Sequence, residues 1–150
     1  MKYFFCFVSA TIIMTSINGQ TTEDSVKAVV NKMFDAMRNA DALSLKAVFS
    51  DNAVFHTIAT GSNGAITVKN EDPAEFIDFV SKEKKGAADE RISFETIKID
   101  GPLALVWAPY QFFYQGVFSH CGVDSFQLVR INGTWKVQYI IDTRRKTGCK

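Results

Sequence analysis

Between Thr22 and Asn39 the apolar residues Val26, Val29, Val30, Met33, Phe34 and Met37 recur at the spacing of a single helical stripe, which predicts an amphipathic helix packed on something apolar. Asp41 is placed to cap a second, short helix carrying Leu43, Leu45, Val48 and Phe49, and Ser50-Asp51-Asn52 ends it. Val54 to Ala59 then reads as a strand, residues 61–64 (GSNG) as a loop, and residues 65–70 (AITVKN) as another strand. Asp72 followed by Pro73 is the start signal of a third helix, whose apolar side is Phe76, Ile77, Phe79 and Val80.

From Arg91 onward the period changes. RISFETIKI alternates as one strand, KIDGPL turns, and three long runs follow: LALVWAPYQFFY, VFSHCGVDSFQLVRI and TWKVQYIIDTRR. Helices first and long hairpin-connected strands afterwards predict an α+β domain with the helices on one face of a curved antiparallel sheet.

The turns set a register. Asn132-Gly133 between Ile131 and Thr134 is a type I′ hairpin signal. Pairing outward from it puts Leu128 opposite Val137 and Phe126 opposite Tyr139 on the buried face. Carried further, it puts Asp124 opposite Ile141 and His120 opposite Arg145 on that same face, with Cys121 on the other. Gln115-Gly116 as the preceding turn sets Trp107 opposite Asp124 and Gln111 opposite His120, with Leu103, Leu105 and Phe113 also inward. The expected result is an apolar, aromatic pocket holding a few polar groups, the usual make-up of a small-molecule site. Gly122 is the position where a bulge would reverse His120 relative to Asp124.

Composition changes the picture at the two ends. Lys2, an apolar run from Tyr3 to Met14 and the small and polar TSINGQ form the pattern of a secretory signal over residues 1–20, too short to span a bilayer, which needs about 20 apolar residues. A buried core helix is the alternative reading. The expectation is a secreted or periplasmic chain with one domain over residues 21–150 and no membrane segment in the mature form. Removing Lys2 turns 17 basic and 16 acidic residues into 16 and 16. A neutral balance without a long basic run excludes nucleic acid as the main partner.

Of the three cysteines, Cys6 leaves with the leader, and export places Cys121 and Cys149 in an oxidising compartment. Continuing the last hairpin sets Cys149 opposite Gly116, ~16 Å along the strand from Cys121, where a bridge needs Cα atoms within ~7 Å. Only a tail folding back after Arg145 closes that gap.

The two N-terminal helices, the DNAVFHTI segment, the third helix and the strands containing WAPY, FSHCGVD, G-x-W-K and DTRR resemble the nuclear transport factor 2-like superfamily over roughly Glu23 to Lys146. Within it they are similar to bacterial SnoaL-like proteins and to those described as putative lumazine-binding. The resemblance implies a cone-shaped, cystatin-like architecture in which a bent sheet wraps the helices around an open-ended pocket, often in a dimer packed through the outer face of the sheet. The superfamily holds ketosteroid isomerases, polyketide cyclases and scytalone dehydratase-like enzymes beside members that only bind or scaffold, so fold does not settle function. Its isomerases and cyclases place a carboxylate base on a pocket strand. Here His56 stands in the comparable first-strand region, with no acidic residue between Ala53 and Ala59, which departs from isomerase chemistry. Dehydratase-like members use histidines with an aspartate, types that His56, His120 and Asp124 supply.

His120 and Asp124 lie ~13 Å apart end to end in a regular strand, too far for a direct couple, so a ligand lying across both fits better. His120 suits a general base, and Asp124 in an apolar pocket a general acid. Both also fit a structural, hydrogen-bonded role. His56 shares a side with Val54 and Ile58 and is either inward and functional or a satisfied core residue. Trp107, Gln111 and Tyr139 are the expected ligand contacts, and Arg145 is either an anion-binding group at the rim or an exposed salt-bridged strand end. No metal site is expected from two histidines with Cys121 on the far face, and no cofactor is expected. The alternate face of the long strand, Ala104, Val106, Ala108, Tyr110, Phe112 and Tyr114, is too apolar for water and predicts a homodimer interface. The leading expectation is an exported small-molecule-binding protein. A cofactor-independent lyase or isomerase and a non-catalytic dimerisation module are the alternatives.

Overall fold

A computed structural model describes residues 21–61 and 63–149; the expected leader lies outside them. Helix α1 (Thr22–Arg38) begins at a capping box, in which the Thr21 hydroxyl accepts from Asp24 N at 3.1 Å and Asp24 Oδ2 accepts from Thr21 N at 3.1 Å. Asp41 caps α2 (Ala42–Val48) through Ser44 N at 2.9 Å, and Asp72 caps α3 (Pro73–Lys82) through Ala74 N at 2.8 Å. The starts of α2 and α3 coincide with the cap signals at Asp41 and Asp72, and α1 with the range of its apolar stripe. No helix among the described residues is long and apolar enough to cross a membrane.

The strands are β1 (Phe49–Thr60), β2 (Ile66–Glu71), β3 (Ala88–Ile92), β4 (Thr96–Asp100), β5 (Leu103–Tyr114), β6 (Val117–Ile131) and β7 (Thr134–Arg145). They form one sheet in the order β2-β1-β7-β6-β5-β3, with β4 also on β5. Every pair is antiparallel except β1 with β7, which is parallel, so the sheet is mixed rather than purely antiparallel. The expected single strand over 91–99 is broken into β3 and β4. Pro109 explains the break: its carbonyl faces this edge and accepts from Ser93 N at 3.0 Å, so its missing N–H faces the same edge and leaves the ladder one donor short.

The inner face of the sheet buries Val106, Phe126, Leu128, Trp135 and Val137 against Val26, Val30 and Phe34 of α1. Phe34 meets Phe126 edge to face at 6.1 Å. Both hairpin turns form as expected, with positive φ at Gln115 (52°), Gly116 (80°), Asn132 (49°) and Gly133 (81°).

The register holds only as far as the first irregularity in each hairpin. In the last one, Leu128 faces Val137 as expected, but Gln127 then faces Tyr139, leaving Gln138 as an extra residue. Gln138 is anchored on β1: its Oε1 accepts from Ser50 Oγ at 2.8 Å and its Nε2 donates to Asn52 O at 2.9 Å. In the preceding hairpin Phe113 faces Phe118 and Phe112 faces His120, leaving Ser119 extra. The ladders run without interruption through Gly122, where the bulge was anticipated.

A one-residue slip moves every later side chain to the other face. Asp124 therefore lies opposite Ala108 and Asp142, not Trp107 and Ile141, and His120 lies opposite Phe112, not Gln111. Cys121, not His120, faces Arg145. Ala104, Val106, Ala108 and Tyr110 are buried in the core, which corrects the expectation that their face is an outer interface.

Cys121 and Cys149 form a disulfide with Cα atoms 5.8 Å apart. The hairpin geometry argued against it, but the chain leaves β7 after Arg145 and turns back at Gly148 (φ 65°), the one route left open. The bridge closes a separation of 28 residues. Because it ties down only a short exposed tail, Cys149→Ser is expected to cost about 2 kcal/mol, at the low end for such a loop. Urea denaturation with and without reductant checks this, the reduced wild type falling to the midpoint of the variant.

Candidate functional site

The concave side of the sheet, α1 and α3 enclose a cavity of about 140 Å³. Met33, Phe34 and Met37 of α1, Phe55, Phe76 and Ile140 make its apolar wall. The polar wall is His56, Thr57, Glu71, Glu90, Tyr110, His120, Asp124, Asp142 and Arg144. It opens through a wider mouth of about 350 Å³ past Glu75, Phe76, Phe79 and Phe112.

The bulge at Gln138 determines which residues of β7 reach this wall. Phe126 faces Ile140, Asp124 faces Asp142 and Gly122 faces Arg144, so the even-numbered residues of β7 join the inner face. Asp142 Oδ2 accepts from the Tyr110 hydroxyl at 3.1 Å and from Arg144 Nε at 2.8 Å, while Arg144 Nη2 donates to Thr57 Oγ1 at 2.9 Å. The Tyr110 hydroxyl also lies 3.0 Å from Thr143 O. Burial pushes the Tyr110 phenol far above its ordinary value, so it stays neutral.

Glu90 comes from β3, which Arg38 ties to α1 through Asp89 at 2.8 Å and Glu90 O at 3.3 Å. Burial raises the Glu90 carboxyl from 4.5 to about 7, against the lowering effect of hydrogen bonding with Asp124. Asp124 is 5% exposed and hydrogen-bonded with Glu90, and its Oδ2 meets no N–H or hydroxyl donor among the described residues. Burial first, and then the neighbouring Glu90, raise the Asp124 carboxyl well above its ordinary value. The two carboxyls share one desolvated space and cannot both ionise without penalty, so near neutral pH Asp124 holds a proton while Glu90 titrates.

His120 borders the same space, edge-on to Tyr110 at 5.7 Å, with its Nδ1 3.0 Å from Ser119 Oγ. Burial, and next the Arg144 charge, lower its pKa, so it is neutral at pH 7. The ensemble offers an acid, a base poised near neutrality and a neutral imidazole on one wall, facing an apolar wall.

His120 and Asp124 thus meet in the cavity as expected. Phe55 and Thr57 are buried on the inner face of β1, and His56 between them is half-buried and also borders the cavity. Its Nδ1 lies 2.9 Å from the Tyr139 hydroxyl, and Tyr139 sits opposite exposed Gln127 because of the Gln138 bulge. Trp107, Gln111 and Arg145 come together on the opposite face of the sheet, along a separate groove with Arg91 and Phe94. Glu90, Tyr110, Asp142 and Arg144 were missed. One signal for them existed: Ala104, Val106 and Ala108 are small residues suited to lie beneath a helix, which would have placed Tyr110 inward.

A curved, open seven-stranded sheet folded against N-terminal helices around such a cavity defines a nuclear transport factor 2-like domain. Solved structures of similar fold include an NTF2-like protein of unknown function from Shewanella baltica, with a TM-score of 0.63 and 16% identity over 83% of this chain and 94% of that one. Another is a domain of unknown function with a cystatin-like fold from Nostoc punctiforme, with a TM-score of 0.63 and 18% identity over 85% of this chain and 81% of that one. At these identities the likeness concerns the fold alone. The chain belongs to the family described as "Putative lumazine-binding", whose profile matches residues 21–139. No curated protein matches it.

Proposed function

We propose that this chain binds a small, partly apolar molecule in the cavity lined by Glu90, Tyr110, His120 and Asp124. The observation that carries this reading is the Asp124 carboxyl: its buried Oδ2 meets no N–H or hydroxyl group among the described residues, which is costly, and a ligand donor would offset the cost. The family description also supports a small-molecule ligand. Export is part of the proposal, supported by the leader pattern over residues 1–20 and by the Cys121–Cys149 disulfide, which suits an oxidising compartment. So is a homodimer, now through the face that exposes Leu103 and Trp107 rather than through Ala104 and Val106.

Native mass spectrometry of the full chain purified from its own host tests these points together, reading a retained small molecule, the mature N-terminus and the subunit number. A saturating ligand is expected to raise the melting temperature by about 5 °C or more. If no mass is retained and no aromatic, polyketide-like or pteridine compound shifts the melting temperature, the binding reading fails.

The second reading is a cofactor-independent lyase or isomerase, and the Glu90–Asp124 pair favours it. A base near pH 7 beside a protonated acid is the arrangement that moves a proton between two atoms of one substrate. In that reading Glu90 takes the general-base role that the sequence suggested for His120, and conversion of the retained molecule, not retention alone, is the deciding measurement.

A further inference from the structure

The charge balance of the cavity narrows the ligand. Four carboxyls, those of Glu71, Glu90, Asp124 and Asp142, border it against the single guanidinium of Arg144. Arg144 is already engaged, with Nε on Asp142 at 2.8 Å and Nη2 on Thr57 at 2.9 Å. Among the described residues neither Glu90 nor Asp124 has an ion pair, and Asp124 Oδ2 meets no N–H or hydroxyl donor although its residue is 5% exposed. His120 does not supply the missing charge, since burial and Arg144 keep it neutral. The rings of Phe55, Phe76 and Tyr110 line the same space and present π faces or edges to whatever enters it.

Resting on the small-molecule reading above, we infer that the cavity selects a cation: a protonated amine or amidine on a single ring, with its N–H groups on Asp124 Oδ2 and Glu90 and its ring against Phe55 and Phe76. Size agrees, because a cavity of about 140 Å³ matches the roughly 150 Å³ space that takes up benzene. A larger substituent extends into the acidic mouth beside Glu71, Asp72 and Glu75. An anion would be repelled by these carboxyls, and a neutral ligand would leave the ionised member of the Glu90–Asp124 pair without a counterion. The cation also has a proton consequence. An opposite charge favours the ionised form of a carboxyl, so the pair that holds a shared proton in the empty cavity releases it when the ligand binds.

Isothermal titration of the full chain at pH 7 with benzylamine, benzyl alcohol and benzoate, each in phosphate and in Tris buffer, tests this. Benzylamine is expected to bind at least about tenfold tighter than benzyl alcohol, with benzoate weakest, and to release about one proton, read from the difference in heat between the buffers. Asp124→Asn is expected to lose both the preference and the proton release while benzyl alcohol still binds. Glu90→Gln gives the same comparison if the Asp124 variant does not fold. Benzyl alcohol or benzoate binding as tightly as benzylamine overturns the choice of a cation and leaves small-molecule binding standing. No binding of any probe, together with no retained molecule, overturns both.

Discussion

Gly122→Ala is expected to destabilise the fold by about 3 kcal/mol or more, well beyond the usual cost of adding a methylene to a core. A Cβ at this position would stand 1.7 Å from Thr143 O and 2.7 Å from Tyr110 Cε1. The first of these is backbone in the neighbouring strand and cannot rotate away. The second is the ring of Tyr110, the residue directly opposite Gly122 on β5, which crosses the empty position to bring its hydroxyl to Asp142 and Thr143 O. The substitution therefore forces β6 and β7 apart and dislodges one of the two donors on Asp142. Urea denaturation and near-UV circular dichroism read the two consequences separately. Wild-type stability in Gly122→Ala would show that the strands part at no cost and that this account of the glycine is wrong. Tyr110→Phe, which keeps the ring and removes the hydroxyl, is expected to lose much less.

Gly122 also marks the boundary of what the sequence carried. Helix starts were legible because each rests on a local chemical signal: Asp41, and Asp72 with Pro73. The two hairpin turns were legible for the same reason, since Gln115-Gly116 and Asn132-Gly133 tolerate positive φ. Faces of strands were not, beyond the first few residues from each turn. The extra residues Ser119 and Gln138 leave no signature of their own; Gln138 is held by Ser50 and Asn52, far away in the chain. Each slip reverses a face, which is how Trp107, Gln111 and Tyr139 were assigned to the pocket and Tyr110 and Asp142 were left out of it. His120 and Asp124 escaped because both follow Ser119 on the same strand with no bulge between them. Glu90 was beyond reach for a further reason. Among the described residues its strand pairs only with β5, so its face depends on the face of β5, already reversed.

The Glu90–Asp124 pair gives the second large effect, and its sign is opposite to that of ordinary surface carboxylates. Glu90 in the folded chain binds its proton up to about pH 7 because burial raises it from 4.5. Between those two values the unfolded chain has lost a proton that the folded chain keeps, so unfolding becomes easier as pH rises through the window and levels off above it. Asp124, raised in the same direction by burial and by Glu90, adds to this slope. The loss is on the order of 3 kcal/mol between pH 4.5 and pH 8. His120 works against it: its lowered pKa means the unfolded chain binds the extra proton, so its contribution to stability grows as pH rises to 6.5. Arg144 stays charged throughout, and the paired carboxyls of Asp24 and Asp41, which are lowered, change stability below the window. Comparing wild type with Glu90→Gln removes the His120 contribution, which both share. The variant is expected to match wild type at pH 4.5 and to exceed it at pH 8 by about 2 kcal/mol, since it loses the buried charge and also the neighbour that raises Asp124. Urea midpoints at pH 4.5, 6 and 8 measure it. A variant less stable than wild type at pH 8 would mean that Glu90 is ionised and paired in the folded chain, and the shared-proton description of the site would have to be abandoned.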